Sequence, residues 1–248
     1  MKKKLLIASA LALIASGGIQ GAEENHAHWS YSGTTDPRHW GELQQGFATC
    51  KIGKEQSPID IRDAKKGDLP AIGFAYKPGP AEIVNNGHTI QVNPAAGGTL
   101  TLASGEYELL QFHFHAPGEE RIKGKAYPLG AHLVHRDEEG KLAVVGILFK
   151  VGKENPVLAR IFDAMPTQPG SKAVLPGDLN VADLLPASRG YYAFTGSLTT
   201  PPCSEGVRWQ ILGQPLELSK AQLAAFRKIY PMNARPVQPL NGRRVEKS

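Results

Sequence analysis

The segment Gln111-Phe112-His113-Phe114-His115 decides how the rest of the chain is read. In a strand, side chains at i and i+2 leave from the same face, so His113 and His115 point together while Phe112 and Phe114 enter the opposite layer. Seventeen positions after His115, His132 lies in a second β-rich run, Ala131-His132-Leu133-Val134-His135. If the two runs are adjacent strands, its imidazole reaches the same spot.

Short runs of the same kind, alternating or β-branched, occupy 82–92, 99–102, 109–115, 132–135, 142–151 and 207–212. Pro and Gly punctuate the chain around them, as in Lys77-Pro78-Gly79-Pro80, Gly97-Gly98 and Pro176-Gly177. Helical signals are fewer. Ser219-Lys220-Ala221-Gln222 reads as a capping box opening an amphipathic stretch through Leu223, Phe226 and Ile229 that Pro231 closes, and 156–165 is a second candidate. No internal repeat or low-complexity tract divides the chain. The balance predicts a mainly β (α+β) fold: a single domain around a large, mostly antiparallel, twisted central β-sheet with a few short peripheral helices.

The chain of 248 residues is long enough for one β-rich domain with a real core. Hydrophobic residues make up 41% and charged residues 21%, a globular balance that excludes disorder as the main state. The net charge of +5 falls to +2 without Lys2, Lys3 and Lys4, too mild to argue for a nucleic acid partner. Those lysines precede an apolar run over 5–15 and the small residues Ser16-Gly17-Gly18 and Gly21-Ala22, the order of a secretory signal peptide. The run is too short to span a bilayer, and nothing later is a membrane span. Residues 1–22 are therefore expected to be a signal peptide, its cleavage site open between 15–17 and Ala22, with 23–248 as the exported mature domain, periplasmic or secreted. In an oxidising compartment Cys50 and Cys203 can pair, the alternative being two buried free thiols.

Three neutral imidazoles without thiolate or carboxylate suit Zn²⁺, and three protein ligands leave a fourth tetrahedral position for water, a catalytic rather than a structural arrangement. The plainer reading of the same residues is a set of partly buried or solvated histidines on a strand face. What surrounds them decides between the two. His28-Trp29-Ser30-Tyr31, Gln56-Ser57-Pro58-Ile59-Asp60, Asn85-Asn86-Gly87-His88, the 111–115 segment, His132-Leu133-Val134-His135, Ser197-Leu198-Thr199-Thr200-Pro201-Pro202-Cys203 and Asn233-Ala234-Arg235-Pro236 follow one another in order. Over 28–235 the chain resembles an alpha-class carbonic anhydrase.

That resemblance implies one zinc per chain on His113, His115 and His132, and reversible hydration of carbon dioxide to bicarbonate and a proton by zinc-hydroxide attack. Carbonic anhydrase is itself the type example of three-histidine zinc acidifying its water. Thr199 would accept from the hydroxide and donate to Glu119, whose ionised carboxylate can only accept; Glu120 is a competing choice for that role. An apolar wall of Val134, Val144, Leu198 and Trp209, with Thr199 and Thr200 beside it, would receive carbon dioxide. His88 matches the proton-shuttle position. Gln111 and Asn233 would orient His113 and His115 through their other ring nitrogens.

The sequence departs from the family at Gly130, where a glutamate commonly stands two residues before the third ligand, and to a lesser degree at Ala116. Glycine offers no acceptor to the second nitrogen of His132, so water or another carboxylate must serve, or zinc is held more weakly. Ser57-Pro58 and Pro201-Pro202 are candidate cis peptides by the same resemblance. His26, His28, His39 and His135 are assigned structural or solvent roles. The implied partners are carbon dioxide, water and bicarbonate, with a slow esterase side activity and room for a homodimer. A related binding module that has lost catalysis is expected to lack a ligand, whereas all three histidines, Glu119 and Thr199 are present. An unrelated zinc hydrolase would need a general base such as the Glu of H-E-x-x-H, and that motif does not occur.

Overall fold

Alternation along the central runs produces the architecture. In a computed structural model that describes residues 28–95 and 97–248, two short helices, α1 (Trp40–Leu43) and α2 (Thr49–Ile52), precede ten strands. These are β1 (Asp60–Ile61), β2 (Lys65–Lys66), β3 (Gly73–Tyr76), β4 (Ala81–Asn85), β5 (Ile90–Pro94), β6 (Gly98–Leu102), β7 (Gly105–His115), β8 (Arg121–Ile122), β9 (Leu129–Arg136) and β10 (Leu142–Val151). Helix α3 (Pro156–Asp163) leads to β11 (Lys172–Val174), β12 (Tyr191–Ser197), β13 (Glu205–Leu212), β14 (Leu216–Leu218), α4 (Lys220–Ile229) and β15 (Glu246–Lys247). The expected signal peptide lies outside the described residues.

Thirteen strands form one sheet in the order β11-β4-β5-β7-β9-β10-β13-β12-β15-β2, with β6 against β7, β3 against β6 and β14 against β10. Its ladders are antiparallel except β10–β13, β10–β14 and β15–β2, and a separate small sheet pairs β1 with β8 in parallel. The expected architecture is therefore present, with a parallel seam running through it.

Strand parity sorts the two faces of the sheet. On one, Phe112, Phe114, Ala131, Leu133, Val145 and Ile147 join Leu158, Ile161 and Phe162 of α3 and Phe226 of α4 in the main core. On the other, Val134, Val144, Trp209, Ile59 and Ile61 form a second apolar cluster. The helices that close the main core start where the sequence says they should. Asn155 accepts from the backbone N–H groups of Val157 and Leu158 to cap α3, while Ser219 and Gln222 form the capping box of α4. Gln222 also binds the backbone of Asn155, which locks the two helix starts together.

A third cluster joins Trp40, Phe47 and the disulfide between Cys50 of α2 and Cys203. The bridge ties the amino-terminal segment to the loop that follows β12. Ser57-Pro58 and Pro201-Pro202 are cis, as expected, and Ala116-Pro117 is a third cis bond.

Candidate metal centre

His113 and His132 are direct register partners across the antiparallel β7–β9 pair, and His115 faces Gly130 one step along the same row. Their ring centroids lie 5.0 Å (His113–His115), 5.5 Å (His113–His132) and 4.6 Å (His115–His132) apart. One nitrogen from each ring falls within 4.8 Å of the other two.

The remaining ring nitrogens are already engaged. His113 Nδ1 donates to Gln111 Oε1 at 2.8 Å, His115 Nδ1 to the Asn233 carbonyl at 2.7 Å, and His132 Nε2 to Glu120 Oε2 at 3.1 Å. His115 Nε2 is buried with no hydrogen-bond partner among the described residues. A buried, orphaned imidazole lone pair aimed at two others fits a cation that accepts nitrogen donors. Burial depresses the His113 imidazole to about 3 and holds His115 well below its ordinary value, with the neighbouring histidines adding to both. Both rings are therefore neutral and free to donate their lone pairs. Burial pulls on His132 as well, but the charge and hydrogen bond of Glu120, aided by Glu119, outweigh it and raise its pKa.

Glu119 is buried beneath the cluster. Its Oε1 accepts from the Arg235 backbone N–H at 2.7 Å, and its Oε2 lies 3.6 Å from His115 Nε2 and 3.8 Å from His132 Nδ1. Desolvation raises the carboxyl to about 7, reinforced by Glu120 and opposed by His132, Thr199 and the Arg235 N–H. Thr199 is itself buried, in the loop leaving β12. That loop is pinned by Leu198 N–H donating to the Ser204 carbonyl, by Cys203 N–H donating to the Thr200 carbonyl, and by the disulfide. Thr199 is thus near enough to Glu119 to hold its pKa down, although Glu119 Oε2 has no hydrogen-bond partner among the described residues, while Glu120 is taken by His132.

Beside His132 runs an apolar row. Val144 of β10 is register partner to Val134 on one side and to Trp209 on the other, and Leu198 packs against the same cluster. The Trp209 ring meets His132 edge-on at 4.8 Å, its Nε1 donating to the Ser197 carbonyl. Thr200 is partly buried in the adjoining loop.

His88 occupies the turn between β4 and β5. Asn86 Oδ1 accepts from the backbone N–H groups of His88 and Thr89, and the imidazole stacks on Trp29. Asn233 links this turn to the histidine cluster: its Nδ2 donates to the carbonyls of His88 and Phe114, its Oδ1 accepts from Ala116 N–H, and its own carbonyl accepts from His115. Sequence reasoning assigned no role to Trp29 or to the Arg235 backbone. It also left Glu120 only as a rival to Glu119; the missing acceptor at Gly130 left the second nitrogen of His132 in want of a partner without saying which group supplies it.

His135, of opposite parity, is buried away from the cluster, where its Nε2 meets the Tyr76 hydroxyl at 2.8 Å. His39 makes a local contact with Asp36.

A family model described as eukaryotic-type carbonic anhydrase matches residues 35–248. A carbonic anhydrase of Pectobacterium carotovorum is 43% identical over 244 residues, covering 98% of each chain. One from Neisseria gonorrhoeae is 44% identical over 241 residues, covering 96% of this chain and 95% of that one. Among solved structures, the alpha-carbonic anhydrase of Thermovibrio ammonificans in complex with the inhibitor sulfanilamide superposes with a TM-score of 0.87 at 49% identity, over 89% of this chain and 99% of that chain.

Proposed function

The chain belongs to the eukaryotic-type, or alpha-class, carbonic anhydrase family and is an enzyme of that family, and from that premise we propose that it hydrates carbon dioxide reversibly with one zinc ion held by His113, His115 and His132. The observation that carries this reading is the triangle of ring nitrogens within 4.8 Å, each left free because its partner nitrogen is already bonded. When bound, zinc acts as a Lewis acid that makes hydroxide available near neutral pH, carbonic anhydrase being the type example of that effect.

The protein's own groups do the rest. Neutral His113 and His115 supply lone pairs without first releasing protons. A cation beside Glu119 opposes the upward pull of burial, so the carboxylate is ionised and accepts from the Thr199 hydroxyl. Thr199, its proton so committed, is left to accept a hydrogen bond at the reacting oxygen, admitting only protonated oxygen there. Val134, Val144, Leu198 and Trp209 hold apolar carbon dioxide by shape and exclude water, with Thr200 at the edge. His88 carries the released proton outward. The same centre would hydrolyse activated esters slowly.

Residues 23–248 form the catalytic domain in this reading. The exported location rests on the amino-terminal sequence and on the disulfide, which suits an oxidising compartment. Stopped-flow carbon dioxide hydration, with and without chelator, and metal analysis test the proposal together. Activity that tracks one zinc per chain is expected, and full activity in metal-free protein would refute it.

A further inference from the structure

The segment 118–120 crosses directly over β9 at Gly130. A Cβ added at Gly130 would sit 3.1 Å from Gly118 Cα, and one added at Gly118 would sit 3.0 Å from the Leu129 carbonyl oxygen and 3.1 Å from Gly130 N. Gly118 N–H donates to the Tyr127 carbonyl at 2.9 Å, which fixes the crossing. Each glycine thus vacates the space the other's backbone fills.

Two residues further on, Glu120 is fully buried and its Oε2 accepts from His132 Nε2 at 3.1 Å. Its Oε1 is buried without a hydrogen-bond partner among the described residues. A carboxylate withdrawn so far from water, with one imidazole as its hydrogen-bond partner, is committed to that imidazole. Gly130 has the parity of His132 and so faces the same side of the sheet, but a side chain rooted there would begin where Gly118 already lies.

We propose that Glu120 is the positioning residue for the third metal ligand, reaching His132 from the crossing segment in place of a carboxylate at position 130, and that the contact between Gly118 and Gly130 is what brings it within reach. Glu120 fixes which nitrogen of His132 carries the proton and hence which faces the ion, and it sets the tilt of the ring. Carboxylate and crossing form one device: with the segment seated, position 130 has no room, and with the segment displaced, Glu120 loses its imidazole. The proposal rests on the zinc reading above.

The test compares the full-length wild type with E120A, E120Q and G130A, each loaded with zinc or with cobalt(II). Zinc release to excess EDTA is timed, the visible absorption of the cobalt forms is recorded, and the metal-free proteins are melted. E120A should release zinc about 10- to 100-fold faster and change the cobalt band. E120Q keeps an acceptor oxygen but not the charge, so it should fall between E120A and wild type; being nearly isosteric, it carries the test if E120A fails to fold. G130A leaves Glu120 and the three histidines themselves unsubstituted and crowds Gly118 across the crossing, and it should speed release in the same direction by a smaller factor. A variant that merely loosened the fold would lower the metal-free melting temperature and leave the cobalt band in place. Wild-type release rates and an unchanged band in both Glu120 variants would overturn the proposal while leaving the zinc reading intact. Unchanged release in G130A would overturn the part given to the glycine contact. A wild type that takes up no metal would overturn both readings.

Discussion

The His88 imidazole lies flat on the Trp29 indole, ring centroids 3.6 Å apart and planes within 7° of parallel. Burial of one face, with the charge of His28 nearby, lowers the His88 pKa below its ordinary 6.5. If His88 relays the proton, turnover in weak buffer should inflect below pH 6.5, and W29A should move that inflection upward. H88A should slow turnover by about 10²-fold without weakening zinc binding. Added imidazole should restore the rate, and its failure to do so would remove His88 from the pathway.

If Glu119 and Thr199 act as the directional pair proposed above, removing either should cost the same interaction. E119Q can donate as well as accept and no longer fixes the Thr199 proton. We expect kcat/KM for carbon dioxide to fall about 10²- to 10³-fold in E119Q and in T199A, with zinc content near one per chain. The double variant should fall little further, because both changes remove one coupled unit. Additive losses would mean that the two residues work independently.

The disulfide joins α2 to the loop bearing Thr199 and Thr200 across a sequence separation of 153. Loop-closure entropy for so long a span amounts to about 5 kcal/mol, an upper figure. The C50S/C203S variant should therefore melt well below the oxidised wild type and hydrate carbon dioxide more slowly. Thermal scans with and without reductant check the first effect. Identical melting of the oxidised and reduced wild type would show that the surrounding aromatic cluster holds the loop unaided.

His135 couples folding to acidity. Burial pushes its imidazole down to about 4, against an ordinary 6.5, although the carbonyls of Ala143 and Leu133 oppose the shift. Between those values the unfolded chain binds the proton and the folded chain does not. Its contribution is thus complete above about pH 6.5 and drains away as pH falls toward 4, by roughly 3 kcal/mol in all. Urea unfolding of wild type and H135Q at pH 7 and pH 4.5 measures it; the variant should lose less stability over that interval. Equal losses would assign the acid sensitivity to other groups.

What the sequence reveals of this molecule is what depends on near neighbours. The parity of 111–115 and 131–135 places His113, His115 and His132 on one face and the phenylalanines on the other, and that is how β7 and β9 sit. The α4 capping box is equally local. The run 82–92 reads as one strand but folds as β4 and β5, because Gly87, at φ 87°, and the Asn86 side chain make a turn at its middle. The Asn-Gly pair was the available signal. Strand β12, with small residues interleaved among its aromatics, escaped because its register depends on β13. The link from Glu120 to His132 was illegible for a deeper reason: it needs two backbones to touch at Gly118 and Gly130, and no spacing or periodicity encodes that approach.

The pairing of His113 with His132 in mid-sheet means that hydrogen bonds of the ladder, not the ion, hold the donor atoms in place. Small zinc modules collapse when stripped because metal and fold are one equilibrium. Here the scaffold is a jig completed before its cargo arrives. A stripped sample should keep its shape, refill without refolding, and accept whichever divalent ion tolerates the spacing on offer.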